Sequence, residues 1–185
     1  MEKQILLEAE EVQRMITRMA HEILEKDAGV ADLALLGIRS RGAHLVRRIG
    51  KRIETFCGSA PSVGIVDVTP YRDDVTPSKA TAEPASTINV DEKTVVLVDD
   101  VIYTGRTIRA ALDLVGRLGK PKKILVAILV DRGQRELPIK ADIVGKNVEV
   151  RESERVNVLL EEADGIDLVT VTRFQPALRM HVKGG

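Results

Sequence analysis

Near its start, the chain repeats apolar residues with the spacing of a helix. Seven apolar side chains fall at i, i+3, i+4, i+7, i+8, i+11 and i+12: Val12, Met15, Ile16, Met19, Ala20, Ile23 and Leu24. This spacing places them on one stripe of an amphipathic helix. The other side of that helix presents Arg14, Thr17, Arg18 and His21. We therefore predict a helix with one buried face and one polar face.

Four later segments are nearly continuous apolar runs. They are LALLGI (33–38), SVGIVDV (62–68), TVVLVDD (94–100) and KKILVAILVD (122–131). Helical patterns separate them, one opening at Gly42 and another running from Ile108 to Leu118. Strands without polar alternation are buried on both faces, and their alternation with helices is typical of parallel sheets. We predict an α/β fold with a central, mainly parallel sheet flanked by helices.

Two stretches interrupt this alternation. Residues 70–91, called the lid segment below, hold three prolines and little apolar content. Loops of this length in a compact domain are usually functional lids or disordered. Residues 132–148 are polar and broken by Gly133, Pro138 and Gly145. Beyond them, residues 156–172 predict two strands joined by a turn at Asp164 and Gly165.

Length, charge and aromatic content limit the number of domains and the kinds of binding partner. A chain of 185 residues suits one sizeable core, so we expect a single domain over residues 1–185. The formal net charge is zero, from 28 acidic and 28 basic residues, so any basic surface must be local. With no Trp, two Phe and two Tyr, the chain lacks the aromatic platforms that stack single-stranded nucleic acid. RNA, if bound, would be held by charge, hydrogen bonds and shape.

Cysteine usage and the first residues indicate the compartment. The single Cys57 permits no intrachain disulfide, and we expect it to be a buried structural thiol. The opening MEKQILLEAEEVQR carries acids where a signal peptide carries basic residues. No apolar run approaches the roughly 20 residues that a membrane helix needs. We expect a cytoplasmic protein without a membrane partner.

Paired acids end the third apolar run. Asp99 and Asp100 close it, and Thr104 to Thr107 follow shortly afterwards. The same arrangement occurs in P-loop nucleotidases, which also need G-x-x-x-x-G-K-[ST] upstream. The segment GIRSRGAH (37–44) has both glycines, but Ala43 and His44 replace the lysine and the hydroxyl residue. This departure argues against nucleoside triphosphate hydrolysis.

A different ligand suits the acids and the loop together. At the carboxyl end of a parallel strand, Asp99 and Asp100 face the crevice where open α/β sheets bind ligands, and can accept bonds from two hydroxyls. Backbone N–H groups before a helix that starts near Thr107 would hold a phosphate. Gly105 allows close backbone approach to that anion. These residues predict a site for a ribose 5-phosphate.

VVLVDDVIYTGRT (95–107) resembles the phosphoribosyl pyrophosphate (PRPP) motif of the type I phosphoribosyltransferases. The resemblance implies the fold of that family, with a small hood segment and a flexible lid loop. It also implies that Asp99 and Asp100 hold the ribose hydroxyls as catalytic residues. The 5′-phosphate would then be wrapped by Val101, Ile102, Tyr103, Thr104, Gly105, Arg106 and Thr107.

The same resemblance assigns the loop after the first apolar run. In this family that loop holds the diphosphate and its Mg²⁺ with backbone N–H groups and a strained peptide. Ile38, Arg39, Ser40 and Arg41 would occupy it, and two arginines suit a diphosphate. The lid segment would exclude water from an oxocarbenium-like transition state, with Arg72 over the diphosphate as a further catalytic candidate. Mg²⁺ would be carried by PRPP, with no direct protein ligand.

Several segments resemble the pyrimidine-operon regulators that have uracil phosphoribosyltransferase activity. They are TRMAHEILE (17–25), DVTPYRDD (67–74), VLVDDVIYTGRT (96–107) and LVDRGQRELPIKADIVGKNV (129–148). The resemblance implies that uracil and PRPP give UMP and diphosphate. It places a uracil pocket at Val130, Asp131 and Arg132, in a base-binding hood of about residues 131–160. It further implies a homodimer or higher homo-oligomer that binds the leader mRNA of a pyrimidine operon in response to UMP and PRPP.

By this resemblance the RNA surface comprises Thr17, Arg18, His21, Arg135, Lys140 and Lys146. Spacing alone favours an ordinary solvated helix face for the first three. Two positions depart from the family pattern, since Gln134 stands where His is usual and Ser40 where Thr is common. Gln keeps hydrogen-bonding capacity but cannot carry the charge of His. The alternative prediction is a phosphoribosyltransferase for another base, without RNA binding.

Overall fold

The structure is a computed structural model that describes residues 2–26, 29–73 and 88–173. Most of the lid segment, residues 74–87, therefore lies outside the described residues. The longer elements, in chain order, are β1 (Glu2–Leu7), α1 (Ala9–Lys26), β2 (Leu33–Ile38), α2 (Gly42–Cys57), β3 (Ser62–Val66), β4 (Thr94–Ile102), α3 (Arg106–Leu118), β5 (Lys123–Asp131), β6 (Ile143–Asn147), β7 (Glu154–Leu159), α4 (Glu161–Asp164) and β8 (Leu168–Arg173).

Five strands form a parallel sheet in the order β3-β2-β4-β5-β6. β4 lies at its centre, where Gly37 of β2 pairs with Val98 and Ile128 of β5 pairs with Asp99. The carboxyl ends of β2, β4 and β5 therefore meet at one edge of the sheet. The loops that follow these three strands are brought together there, as the apolar runs predicted.

Both faces of the parallel sheet are buried. Alternate residues such as Leu35 and Val96 pack with α1 and α2, while their neighbours Leu36 and Leu97 pack with α3. On α1 the predicted stripe is buried at Val12, Ile16, Met19, Ala20 and Ile23. The absence of polar alternation in these strands thus has a direct physical cause, because each side chain meets a helix.

A second sheet of three antiparallel strands has the order β1-β8-β7. The two strands predicted in residues 156–172 are confirmed as β7 and β8, but α4 lies between them and Gly165, at φ 74°, ends that helix. Leu7, Val158 and Val169 join the same apolar cluster as α1, α2 and the parallel sheet. The single-domain organisation stays a prediction, which this shared cluster supports.

Some boundaries differ from those the sequence predicts. β3 ends at Val66, because the Asp67 carboxylate accepts a bond from the Thr69 N–H at 3.0 Å and starts a turn. Within the predicted hood range, β6 extends the parallel sheet and β7 belongs to the antiparallel one. Cys57 is exposed at the end of α2, so the expectation of a buried thiol is wrong.

Candidate functional site

The acids that end β4 lie at the sheet edge where the loops meet. Asp99 is 6% exposed, and Asp100 is half-buried. Oδ1 of Asp99 accepts a bond from the Asp100 N–H at 2.9 Å, and Oδ1 of Asp100 accepts one from the Val101 N–H at 2.9 Å. Each carboxylate is thereby oriented by the backbone through one oxygen. The two carboxylates lie side by side at the end of β4, where they can accept hydrogen bonds from the hydroxyls of a ligand.

Burial makes the charge on these acids costly. It raises the pKa of Asp99 well above its usual range, and the charge of Asp100 raises it further. Burial also raises the pKa of Asp100. Arg72 opposes the shift of the Asp99 pKa and Arg41 that of the Asp100 pKa. A ligand that donates hydroxyl hydrogen bonds would favour the charged carboxylates that burial disfavours.

The turn after β4 surrounds a small cavity. Gly105 has φ 94° and directly precedes α3, so a conformation that favours glycine sets the start of that helix. A cavity of about 210 Å³ lies here, lined by Arg72, Val101, Ile102, Tyr103, Thr104, Gly105, Thr107 and Ile108. Arg72 is thus brought beside six of the seven residues predicted to wrap the phosphate. The start of a 13-residue helix also favours an anion at this position.

The loop between β2 and α2 lies against the acids. A β-carbon on Gly42 would be 2.5 Å from the Val98 carbonyl oxygen and 3.4 Å from Oδ1 of Asp99. One on Gly37 would be 2.4 Å from the Gly42 carbonyl oxygen. The two glycines that resemble a P-loop are therefore required for close packing of this loop on β4. The peptide bond between Arg39 and Ser40 is cis.

Arginines at this edge are paired with acids that the sequence did not indicate. Arg41 contacts Asp164 of α4 at 2.8 Å, and Arg39 lies 3.6 Å from Asp67. The third, Arg106, is 3.0 Å from a carboxylate oxygen of Asp73 and 2.8 Å from one of Glu136. Asp73, Glu136 and Asp164 come from segments that the pattern analysis treated as loops or turns, and Asp67 lies just beyond the end of β3, inside the predicted second strand.

The predicted uracil residues lie at the carboxyl end of β5, at the same edge of the sheet. The side chain of Val130 is fully buried in the core, so only its backbone can contribute to a pocket. Asp131 accepts from Arg135 and from the Gly133 N–H at 2.8 Å. The guanidinium of Arg132 lies 4.0 Å from the centre of the Tyr103 ring. Arg132 therefore connects the predicted pocket to the phosphate loop.

Arg135, a predicted RNA contact, is bonded to several groups of the candidate site. Its guanidinium donates to the carbonyls of Tyr103 at 2.8 Å, Gly133 at 3.1 Å and Ile139 at 3.1 Å, and to the carboxylate of Asp131 at 2.5 Å. Four acceptors and low exposure indicate that this side chain holds the site together. The predicted RNA contact of Arg135 stays a prediction, and a guanidinium with this many partners has little capacity left for phosphate.

Gln134, the departure from the family pattern, also has a structural position. It has φ 60°, its amide donates to the Val150 carbonyl at 2.8 Å, and its oxygen accepts from Arg132 at 3.1 Å. The side chain therefore joins the residues after β5 to those before β7. Replacing the usual His here changes this internal link as well as the surface.

The remaining RNA candidates fall on two surfaces. Thr17, Arg18 and His21 line a depression of about 450 Å³ on α1. Lys140 lines another, of about 690 Å³, together with Arg135. Arg18 donates to the Val144 carbonyl at 2.9 Å and to that of Gly145, beside Lys146. The structure thus brings the α1 residues together and links them to β6.

An aromatic stack on α1 was not predicted. The rings of His21 and Phe56 are parallel within 14°, with centroids 4.1 Å apart. Phe56, at the end of α2, is 40% exposed. The low aromatic content had argued against stacking platforms, but the fold assembles one from two residues distant in the sequence. This platform borders the arginines of the α1 depression.

Within the described ranges, no group of three or more His, Cys, Asp or Glu side chains is arranged to hold a metal ion. Among the helices described, none has the length and apolar character to cross a membrane.

Comparisons with known proteins agree with this geometry. Residues 3–161 match the model of the phosphoribosyl transferase domain. The bifunctional protein PyrR of Chloroflexus aurantiacus is 51% identical over 93% of this chain and 96% of the relative, and that of Clostridioides difficile is 49% identical over 92% and 98%.

Solved structures give the fold independently. A hypoxanthine phosphoribosyl transferase of Trypanosoma cruzi has a TM-score of 0.66 at 20% identity, covering 78% of this chain and 77% of that one. A hypoxanthine phosphoribosyltransferase of Staphylococcus aureus has a TM-score of 0.65 at 23% identity, covering 82% and 79%. The expected type I fold is confirmed. The chain therefore belongs to the phosphoribosyltransferase family, within the group whose members are named bifunctional protein PyrR.

Proposed function

We propose that the protein transfers the phosphoribosyl group of PRPP to uracil, giving UMP and diphosphate, and regulates expression of a pyrimidine operon by binding its leader mRNA. One observation carries the enzymatic part. The paired acids of β4 and the anion-binding turn before α3 share one edge with the Gly37–Gly42 loop. The site can therefore hold both ends of a ribose phosphate whose leaving group lies over the loop. The resemblance to pyrimidine-operon regulators supports uracil and RNA as partners.

The reaction exchanges one bond to the anomeric carbon for another. Uracil N1 forms a bond to C1 as the bond to the diphosphate oxygen breaks, and the bonding electrons leave with diphosphate. The N1 proton passes to water, since no side chain in the described part of the chain stands out as a general base. Asp99 and Asp100 accept bonds from the ribose hydroxyls, while the turn through Gly105 holds the 5′-phosphate. Positioning and charge stabilisation then supply most of the catalysis.

The diphosphate is proposed to carry Mg²⁺. The described residues offer paired carboxylates at Asp99 and Asp100 but no three-ligand cluster. Mg²⁺ keeps several waters and is commonly bound by substrate phosphates, so Asp99 and Asp100 would remain available for the ribose hydroxyls. When bound, the ion would neutralise charge on the leaving diphosphate. Arg39 and Arg41 border the same loop and would add to that neutralisation.

The second activity is proposed for the face of α1. Thr17, Arg18 and His21 lie together there, with Arg14 in the same depression. RNA loops are recognised by phosphate contacts, by shape and by stacking of unpaired bases on rings that include His. Lys140 and Lys146 would extend the contact. UMP would favour RNA binding and PRPP oppose it, in a homodimer or larger homo-oligomer.

The enzymatic proposal is tested by incubating the protein with PRPP, Mg²⁺ and a panel of bases. We expect UMP from uracil, with orotate, hypoxanthine and guanine left unconverted. Chromatography of the nucleotide products and release of diphosphate are the measurements. Turnover of a purine in place of uracil would favour the alternative enzyme and remove the basis for UMP control.

RNA binding is tested with the leader transcript of the organism's own pyrimidine operon. Filter binding should show higher affinity with UMP and lower affinity with PRPP, while a shuffled transcript of the same length should bind weakly. Weak binding that neither nucleotide changes would leave an enzyme without the regulatory role.

Phe56 provides a sharper test of the RNA surface. Phe56→Leu keeps an apolar side chain but removes the ring that stacks on His21 at 4.1 Å. Since stacking of a base on an aromatic ring contributes about 1–3 kcal/mol, we expect RNA affinity to fall at least about five-fold. UMP formation should stay unchanged, because Phe56 is remote in the fold from the β4 edge. Cys57→Ser, one residue further along the same exposed end, is the matched control, and equal RNA affinity of both variants would place the RNA elsewhere.

A further inference from the structure

A carboxylate of α4 holds one arginine of the predicted diphosphate loop. Nη2 of Arg41 lies 2.8 Å from Oδ1 and 3.1 Å from Oδ2 of Asp164, and Nε lies 3.3 Å from Oδ2. Both side chains are partly buried, at 31% and 20% exposure. This is the two-oxygen arrangement in which a guanidinium binds a carboxylate or a phosphate. The face of Arg41 that suits a diphosphate is therefore already occupied by Asp164.

Arg41 also lies within electrostatic reach of the site. Its charge opposes the upward shift of the Asp100 pKa. It directly precedes α2, whose first residue, Gly42, packs on Asp99. The Arg41 guanidinium thus contacts Asp164 and also acts through its charge on Asp100. A diphosphate bound on the loop would compete with Asp164 for it.

The turn that carries Asp164 is connected to the RNA candidate helix. Oδ2 of Asp164 accepts from the Leu160 N–H at 2.9 Å, and the next N–H, of Glu161, donates to Asp167 at 2.9 Å. Asp167 in turn accepts from the side-chain amide of Gln13 on α1 at 2.8 Å. The Gln13 carbonyl accepts from the hydroxyl of Thr17 at 2.9 Å. These hydrogen bonds, together with the covalent backbone between Leu160 and Glu161 and the Gln13 residue itself, link Arg41 to the face of α1.

We propose that Asp164 is a positioning residue that competes with the diphosphate of PRPP for Arg41, and that release of Arg41 is transmitted through residues 160–167 to α1. The inference rests on the proposed function, because it needs PRPP on the Gly37–Gly42 loop. A diphosphate carries more charge than one carboxylate, so it can displace Asp164 from Arg41. Asp164 then sets how much PRPP is required to do so.

The central experiment compares Asp164→Asn with the unmodified protein. The amide keeps the shape and one acceptor of Asp164 but removes its charge. We expect the dissociation constant for PRPP with Mg²⁺, measured by calorimetry without uracil or RNA, to fall about three- to ten-fold, which corresponds to about 0.7–1.4 kcal/mol. KM for PRPP should fall in parallel while kcat stays within two-fold. A substitution that only destabilised the fold would not lower KM for PRPP while leaving kcat unchanged.

Glu162→Gln is the matched control. Glu162 lies on the same four-residue helix but pairs with Arg48, at 2.5 Å, and not with Arg41. Its PRPP affinity should remain within two-fold of the unmodified protein. An Asp164→Asn variant with unchanged or weaker PRPP affinity overturns the inference, provided that the unmodified protein binds PRPP. Failure of the unmodified protein to bind PRPP would instead overturn the proposed function itself.

RNA affinity gives the second measurement. Coupling between two ligands is reciprocal, so a change that mimics bound PRPP should also change RNA affinity. Loss of the Arg41–Asp164 contact is such a change. The RNA affinity of Asp164→Asn measured without PRPP should therefore be close to that of the unmodified protein measured with PRPP. The ratio of RNA affinities without and with PRPP should then shrink at least two-fold in Asp164→Asn. A tighter PRPP site with an unchanged ratio would overturn the transmission through residues 160–167, while leaving the competition for Arg41 established.

Discussion

Asp99→Asn is expected to lower kcat/KM for UMP formation by about 10²-fold. Asp99 is buried beside Asp100 at the end of β4, where a carboxylate is proposed to accept a ribose hydroxyl. The amide still accepts the Asp100 N–H but lacks the charge that opposes positive charge on the sugar in the transition state. The loss should appear in both KM for PRPP and kcat, measured by diphosphate release.

The same substitution is expected to stabilise the protein at neutral pH. Burial and the neighbouring Asp100 raise the pKa of Asp99 well above its usual 3.8. The folded chain therefore holds a proton that the unfolded chain has lost, and the free energy of unfolding decreases as pH rises from 3.8 through the raised pKa. Above that pKa the whole penalty is present. Asp99→Asn removes the penalty, so we expect a gain on the order of 1 kcal/mol at pH 8.

Urea unfolding at pH 5 and pH 8 measures this gain. The difference in stability between Asp99→Asn and the unmodified protein should be larger at pH 8 than at pH 5. Asp113→Asn is the control, because Asp113 is an exposed acid on α3 whose partner is Arg109, and exposed pairs contribute little. A variant that is inactive and also less stable at pH 8 would show that Asp99 supports the fold through contacts of its charged form.

The central fold could be predicted because its signal is local. Each inner strand is a continuous apolar run, since helices cover both faces of the sheet. The edge strands β1 and β6 lack that signal. In β1, Ile5 is 54% exposed while Leu7 is buried, and the strand is defined by pairing with β8 at the other end of the chain. In β6, Gly145 suggested a break, but it permits close approach to the Leu129 carbonyl, 2.5 Å from where a β-carbon would lie.

The candidate site also has one part that the sequence predicts and another that it does not. Asp99 to Thr107 form one uninterrupted segment, so its shape follows from residue order and strand direction. The acids that pair with its arginines do not follow from sequence, because Asp73, Glu136 and Asp164 come from three different connections. Pairing across such distances depends on tertiary packing. For the same reason the sequence could suggest Arg135 as a surface cation but could not reveal its four internal acceptors.

Arg135→Ala is expected to impair UMP formation, in contrast to an ordinary surface substitution. Arg135 holds the Tyr103 carbonyl of the phosphate turn at 2.8 Å and the Asp131 carboxylate of the predicted uracil pocket. Without it, three carbonyl oxygens and a carboxylate lose their partner, and the turn can shift relative to the pocket. Because displacements of about 1 Å can cost on the order of 10²-fold in rate, we expect kcat/KM to fall about 10- to 100-fold.

Arg18→Ala provides the matched comparison. Arg18 is also an arginine that bonds main-chain carbonyls, but those belong to β6 and lie beside the α1 depression. Its loss should reduce RNA affinity about ten-fold while UMP formation stays within two-fold. Steady-state kinetics and filter binding on both variants, with circular dichroism to confirm folding, separate the two roles.

If Arg135→Ala forms UMP normally and loses only RNA affinity, then its contacts at the β4 edge are dispensable, and Arg135 belongs to the RNA surface that the sequence predicted. If both activities of Arg135→Ala fall while only RNA binding of Arg18→Ala does, the phosphate turn is held in place from the connection after β5.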